Sequence, residues 1–287
     1  MDKQKTIKKE ITIKGIGLHT GNKTKMTLRP APINYGIKFI RTDLKDSPVI
    51  PALAENVQDI LRGTTIGINE IPMVYTVEHL LASFSGLGID NMQVLLNNNE
   101  PPVFDGSAKP FVDYLLGAGI VELDAPKEYI RITEPIEYIS DDKVKVEITA
   151  TPSDEFVVDY TIIYNHPLVG TQQIELKITS EIFINEISKA RTFCFDFEIE
   201  ALAKKGLAKG GNLDNAIIIG LDKIHNPQKL RYNNEFVRHK LLDIIGDFYL
   251  LGKPLKAHIK ASCSGHKHNI NFVNLIKDQI KSKQRGM

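Results

Sequence analysis

Three short stretches concentrate the side chains able to do acid, base and metal chemistry. They are EH at Glu78 and His79, HKLLD from His239 to Asp243 with Asp247 one turn further, and SGH ending at His266. In FVRHKLLDIIGDFYLLG (236–252), His239, Asp243 and Asp247 recur every four residues and share one helical stripe, while Leu241, Leu242, Ile244, Ile245 and Phe248 cover the rest. Taken alone, a histidine and an aspartate at this spacing form an ordinary solvated pair contributing about 0.2–0.5 kcal/mol. The same pair is also two ligands for a metal. A catalytic zinc takes three protein ligands and keeps a position for water, and His79 is the candidate third ligand. Considered singly, Glu78 reads as an acid favoured by the dipole at a helix N-terminus, and His79 as a hydrogen-bonded boundary histidine. Together with HKLLD they supply a ligand and a carboxylate able to take a proton from activated water. His266 follows a glycine at a strand-to-helix junction, where side chains are presented to sites. The helix dipole lowers its basicity, so an acid role requires a neighbouring carboxylate, and Asp247 is available. His19, His166, His225, His258 and His268 read as structural or surface residues.

Positioning these groups requires helices that meet. ITIKG, KMTLRP and GIKFIRT alternate as strands, and TVEHLLASFSGLG then reads as a helix, NMQVLLN as a strand and AKPFVDYLLGAG as a helix. LDAPKEY has the composition of a short linker. The order then recurs: strands in YIRITEPIEYI, KVKVEIT and FVVDYTIIYN, the HKLLD helix, a strand at LKAHIKA and a helix at HNINFVNLIKDQIKSK. We therefore expect an α+β fold of two similar domains, 1–125 and 126–287, each layering sheet and helices. His79 and His239 open corresponding helices, which puts the active site between the domains, a common location for ligand clefts. The second domain carries a βαβ insertion at about 191–220, RTFCFDFEIEALAKKGLAKGGNLDNAIIIG. Its glycines at 206, 210 and 211 lack the lysine and hydroxyl of a phosphate loop, so a helix C-cap and turn is the better reading.

Composition narrows the partners. The 287 residues carry 36 basic and 35 acidic side chains, leaving no bulk field for nucleic acid or a membrane surface. The N-terminal MDKQKTIKKEITIKG lacks the apolar core of a signal peptide, and no apolar run reaches spanning length. A cytoplasmic monomer is expected, with at most transient contact with a membrane surface. Cys194 and Cys263 are too few for a disulfide framework or a thiolate metal site, so any zinc must use histidine and carboxylate.

GIGLHTG, TLRPAP, TVEHLLASFSGLGIDN, FDGSA, RTFCFD, LRYNNEFVRHKLLDIIGDFYLLG and SGH, in this order, closely resemble the UDP-3-O-acyl-N-acetylglucosamine deacetylases, zinc-dependent amidases of bacterial lipid A synthesis. The resemblance spans nearly the whole chain. It implies a two-domain α+β architecture, His79, His239 and Asp243 as zinc ligands, Glu78 as general base, and His266, supported by Asp247, as the acid that protonates the leaving amine. It further implies Thr192 as the hydroxyl facing the oxyanion, Lys240 as a substrate-binding residue, and the insertion, Phe193 included, as an apolar passage for the acyl chain. The pattern also implies a basic residue before SGH, where this chain has Cys263; Lys260 or Lys267 would have to replace it. Two other readings stand beside the enzyme: a non-catalytic module binding a nucleotide or acidic ligand, and a related zinc amidase with another substrate.

Overall fold

A computed structural model describes residues 2–142 and 144–285. The alternating segments of the first half form β1 (Ile11–Ile16), β2 (Lys23–Pro30), β3 (Ile37–Arg41) and β4 (Val49–Pro51). After helix α1 (Glu78–Leu87) comes β5 (Met92–Leu96), and then α2 (Lys109–Ala118). The strands pair in the order β1-β2-β5-β3-β4. The latecomer β5 is antiparallel to β2, with Met26 opposite Leu96, and parallel to β3, with Phe39 opposite Val94.

The second half repeats this plan. Its strands are β6 (Ile136–Ser140), β7 (Val146–Thr151), β8 (Phe156–Ile163), β9 (Thr171–Lys177) and β10 (Leu255–Ser262), in the order β6-β7-β10-β8-β9. A sixth short strand, Ile130–Arg131, runs parallel to the start of β10. Here too the last strand enters the middle, antiparallel to β7 and parallel to β8. The α+β class expected from the residue pattern therefore holds, and the repeated element order extends to the sheet order.

The remaining helices belong to the second half. The short α3 (Ile199–Lys204) belongs to the insertion, α4 spans Glu235–Phe248 and α5 His266–Arg285. α1 and α4 pack on each other, and α4 also packs on α5. The stripe of α4 is no solvated face: His239 and Asp243 are each 2% exposed and Asp247 0%. Full burial of Leu241, Leu242, Ile244 and Ile245 contributes about 1.5–3 kcal/mol each, whereas each buried ion costs several kcal/mol unless matched. The apolar faces hold the helix in place, and its ionisable groups must find partners. Gly246 lets α1 and α4 approach closely, since a Cβ there would run into the carbonyl oxygen of Glu78.

Some local expectations fail. Residues 120–126 form a strand paired antiparallel with Lys3–Ile7, so the first part of LDAPKEY is no linker. YIRITEPIEYI splits into Ile130–Arg131 and Ile136–Ser140, with Pro135 unable to donate to a ladder. The last helix starts at His266, two residues before HNINF. A three-stranded sheet of Val57–Asp59, Thr65–Ile68 and Ile71–Val74 lies outside the segments expected to be strands. In the insertion, Phe193–Phe195 and Ile217–Ile219 pair in parallel around α3. Gly206 follows α3 in the left-handed region, φ 73°, its amide donating to the Ala203 carbonyl at 2.9 Å, so the glycine-rich stretch is a helix end and turn.

Candidate metal centre and active site

α1 and α4 bring His79, His239 and Asp243 together: one ligand atom from each lies within 4.8 Å of the others. Nε2 of His79 is 3.7 Å and Nε2 of His239 3.4 Å from the same carboxylate oxygen, Asp243 Oδ1. The two imidazoles meet edge to face, ring centres 5.0 Å apart. Nδ1 of His239 donates to the Ala190 carbonyl at 3.1 Å, which fixes the tautomer and leaves Nε2 as a lone-pair donor facing the cluster. Asp243 Oδ2 accepts from Lys240 Nζ at 2.8 Å, but Oδ1 is buried with no hydrogen-bond partner among the described residues. Such an orphan costs about 1–3 kcal/mol, more for a charged group, unless a ligand satisfies it. A divalent ion fits that demand, because two neutral imidazoles and a carboxylate are borderline donors suited to zinc.

The electrostatics agree with that donor set. Burial, followed by the neighbouring His239, drives the His79 pKa down to about 3, and burial also lowers that of His239, so both rings are neutral at pH 7. Burial opposes ionisation of Asp243, yet His239, Lys240, His266 and His79 together hold its carboxyl well below the usual carboxylate range. Lys240 stays charged: burial works against it, but Asp243 and its other neighbours raise its pKa.

A carboxylate and a third imidazole flank the cluster. Glu78, 2% exposed, accepts a hydrogen bond from the Thr64 amide on Oε2 at 3.0 Å, and its Oε1 is 3.8 Å from His266 Nε2. Burial pushes the Glu78 carboxyl up to about 7, partly offset by His266. His266 shows the opposite balance. Burial favours the neutral ring, but Asp247, whose Oδ2 accepts from Nδ1 at 2.9 Å, together with Glu78 and Asp243, raises its pKa to about 9. Asp247 accepts two further bonds, from the Thr64 hydroxyl at 2.6 Å and from Asn269 Nδ2 at 2.8 Å. Ser264, next to the SGH glycine, accepts from buried Tyr160 and reaches Asn269 Oδ1 at 2.8 Å.

The insertion forms the approach. Arg191, buried against Glu235 with Nε–Oε1 2.8 Å, ties its base to the start of α4. Thr192 is held between the Gly106 carbonyl and the Ile217 amide, both at 2.8 Å. The Phe193 ring lies 6.2 Å from that of His239 and 5.6 Å from Lys240 Nζ. Thr192 and Phe193 line a cavity of about 270 Å³ whose wall is mostly apolar, with Leu18, Leu202, Leu213, Ala216 and Ile218, and also carries His19, Arg62 and Asn212. Glu78, His79, His239, Lys240, Asp243, Asp247 and His266 thus meet at this cluster, and Thr192 and Phe193 line this cavity.

Four residues escaped the sequence reading. Thr64 and Asn269 have no motif that marks them. Fully buried Glu100 accepts from the His19 amide at 2.9 Å, from the Thr20 amide and hydroxyl at 2.8 and 2.7 Å, and from the Thr76 hydroxyl at 2.7 Å. It thereby ties the GLHTG loop to the turn before Glu78. His19, read as structural or surface, lines the cavity at 8% exposure, with Nδ1 accepting from the Ala208 amide; its place in GLHTG was the available signal. Cys263 is half-buried with φ 54°, and Lys267 is paired at the surface with Asp142.

The model of the UDP-3-O-acyl N-acetylglycosamine deacetylase family matches residues 4–278. A UDP-3-O-acyl-N-acetylglucosamine deacetylase of Saccharophagus degradans is 46% identical over 282 residues, covering 97% of this chain and 92% of the relative. That of Teredinibacter turnerae is 47% identical over 271 residues, 94% and 88% of the two chains. A bifunctional LpxC/FabZ enzyme of Chlorobaculum tepidum is 45% identical over 300 residues, but that match covers 96% of this chain and only 64% of the bifunctional protein. Among the described residues no helix is long and apolar enough to cross a membrane. A match across almost the entire length, over a fold that gathers EH, HKLLD and SGH at one point, makes this chain a member of the UDP-3-O-acyl N-acetylglycosamine deacetylase family.

Proposed function

We propose that this protein hydrolyses the N-acetyl group of UDP-3-O-acyl-N-acetylglucosamine to acetate and the free amine, in lipid A biosynthesis, with zinc held by His79, His239 and Asp243. The observation that carries the reading is the buried Asp243 Oδ1, without a hydrogen-bond partner among the described residues and facing two imidazole nitrogens, in a chain of this family. Zinc there would supply Lewis acidity, polarising the amide carbonyl and lowering the pKa of a water from about 16 to about 7.

The protein groups supply the proton traffic. With a carboxyl pKa of about 7, Glu78 is poised to take the proton of the attacking water at neutral pH. Thr192, at the cavity wall, is the hydroxyl we assign to the oxygen that becomes negative, a role typically contributing about 3–4 kcal/mol. An amide anion is too basic to leave, so the nitrogen must be protonated. His266, still charged at pH 7, is the donor, and Asp247 keeps it charged and oriented. Lys240 and Phe193 are assigned to substrate binding, and the apolar cavity to the acyl chain. The reading includes a division into domains at about 1–125 and 126–287, a cytoplasmic location and a monomer.

Metal analysis and an acetate-release assay on the UDP-linked substrate, with and without chelator, test it. One equivalent of zinc and chelator-sensitive release are expected. Release that is unaffected by complete metal removal would reject the zinc assignment, and no release from the metal-replete protein would reject the activity.

A further inference from the structure

We propose that Thr64 is a positioning residue that sets base and acid relative to each other across the two halves of the molecule. The inference rests on the deacetylase reading. Thr64 lies in the turn between Val57–Asp59 and Thr65–Ile68, and it is fully buried. All three of its polar groups are engaged. Its amide donates to Glu78 Oε2 at 3.0 Å, its carbonyl accepts from the Val77 amide at 3.1 Å, and its hydroxyl donates to Asp247 Oδ1 at 2.6 Å.

The consequence for His266 is geometric. Asp247 is acceptor-only, and with Oδ1 taken by Thr64, Oδ2 is left to Asn269 and to Nδ1 of His266 at 2.9 Å. The Thr64 oxygen is also 3.3 Å from that Nδ1. Held on this edge, the ring directs Nε2 toward Glu78 Oε1, 3.8 Å away, and Asp243 Oδ2, 3.9 Å away. The turn is built for the purpose: Arg62 sits in the left-handed region, φ 65°, and a Cβ on Gly63 would come within 3.0 Å of Glu78 Oε1. None of the Thr64 hydrogen bonds among the described residues involves His79, His239 or Asp243, so its loss should spare the metal.

The test compares Thr64→Val, which keeps the shape and removes the hydroxyl, with Thr64→Ser, which restores it. The valine variant is expected to lose about 10–100-fold in kcat, with KM and zinc content near wild type, and the serine variant to recover most of the rate. If valine prevents folding, Thr64→Ala removes the same hydroxyl. Independently of turnover, the low-field NMR resonance of the His266 Nδ1 proton, assigned by its loss in His266→Gln, should persist in the serine variant and move or broaden in the valine variant. Full kcat in Thr64→Val, or a His266 resonance unmoved there, overturns the proposal. A wild type that releases no acetate overturns the functional reading instead, while the resonance still decides whether Thr64 holds the imidazole.

Discussion

Glu78 Oε1 and His266 Nε2 stand 3.8 Å apart, a carboxylate from α1 facing an imidazole from α5. Each stabilises the charged form of the other, yet burial and Asp247 pull them to opposite sides of the working pH. The dependence of log kcat/KM on pH should therefore be a bell. It rises as Glu78 loses its proton, near 7, and falls as His266 loses its own, near 9. A bound divalent cation favours the deprotonated form of both, so with the proposed zinc in place both limbs should lie on the acid side of these values. Activity that keeps climbing up to pH 10 would exclude His266 as proton donor.

Replacing Glu78 by Ala should leave zinc content intact and reduce kcat by at least about 100-fold, since a positioned base contributes about 10²–10⁴-fold. Asp243→Ala should lose the metal itself. In thermal unfolding, zinc at 100 times its dissociation constant should stabilise the metal-free wild type by about 2.7 kcal/mol. No shift is expected for Asp243→Ala, and an equal shift there would place the ion elsewhere.

Gly246→Ala should cost about 1–3 kcal/mol in stability, because the new methyl meets the Glu78 carbonyl where α4 crosses α1. That strain falls on Glu78, the proposed base, so kcat should drop in the folded fraction. Unchanged denaturation and kcat would show that the two helices separate without effect.

Glu100→Gln exchanges a carboxylate that accepts four hydrogen bonds for an amide whose NH2 faces donors. We expect a loss of roughly 2 kcal/mol or more, read from urea unfolding. A smaller loss than this would mean that the GLHTG loop re-forms around the amide.

Ala216→Phe puts a ring into the apolar cavity. KM should rise more for substrates with long acyl chains than for short ones, while zinc content stays unchanged. Equal effects on both would remove the cavity as the acyl site.

Of the residues proposed as ligands, base and acid, those on α1 and α4 were legible because their types are rare on helices otherwise this apolar, and because His239, Asp243 and Asp247 keep helical spacing; His266 stood out only by its place after a glycine at a strand-to-helix junction. Thr64 was not, since its value lies in a bond to a residue 183 positions away, and threonine is common in turns. Asn269 and Glu100 act in the same way, through partners that only the fold supplies. The strand at residues 120–126 was masked by its own composition: two strands alone leave one face in water, so acids and a proline are tolerated there and look like a linker. The repeated element order was visible, but the insertion of β5 and β10 into mid-sheet was not, because pairing partners leave no trace in alternation.

That central insertion also governs how the chain can be built. During synthesis β7 and β8 emerge close together, but they must wait for β10, which is roughly a hundred residues downstream and begins at Leu255. Until the ribosome has released that segment, two strand edges stay open to mispairing or to a chaperone, which makes late arrest the hazardous point in biogenesis. Truncation just before Leu255 should yield aggregating chains, whereas loss of the final turns of α5 should be far better tolerated.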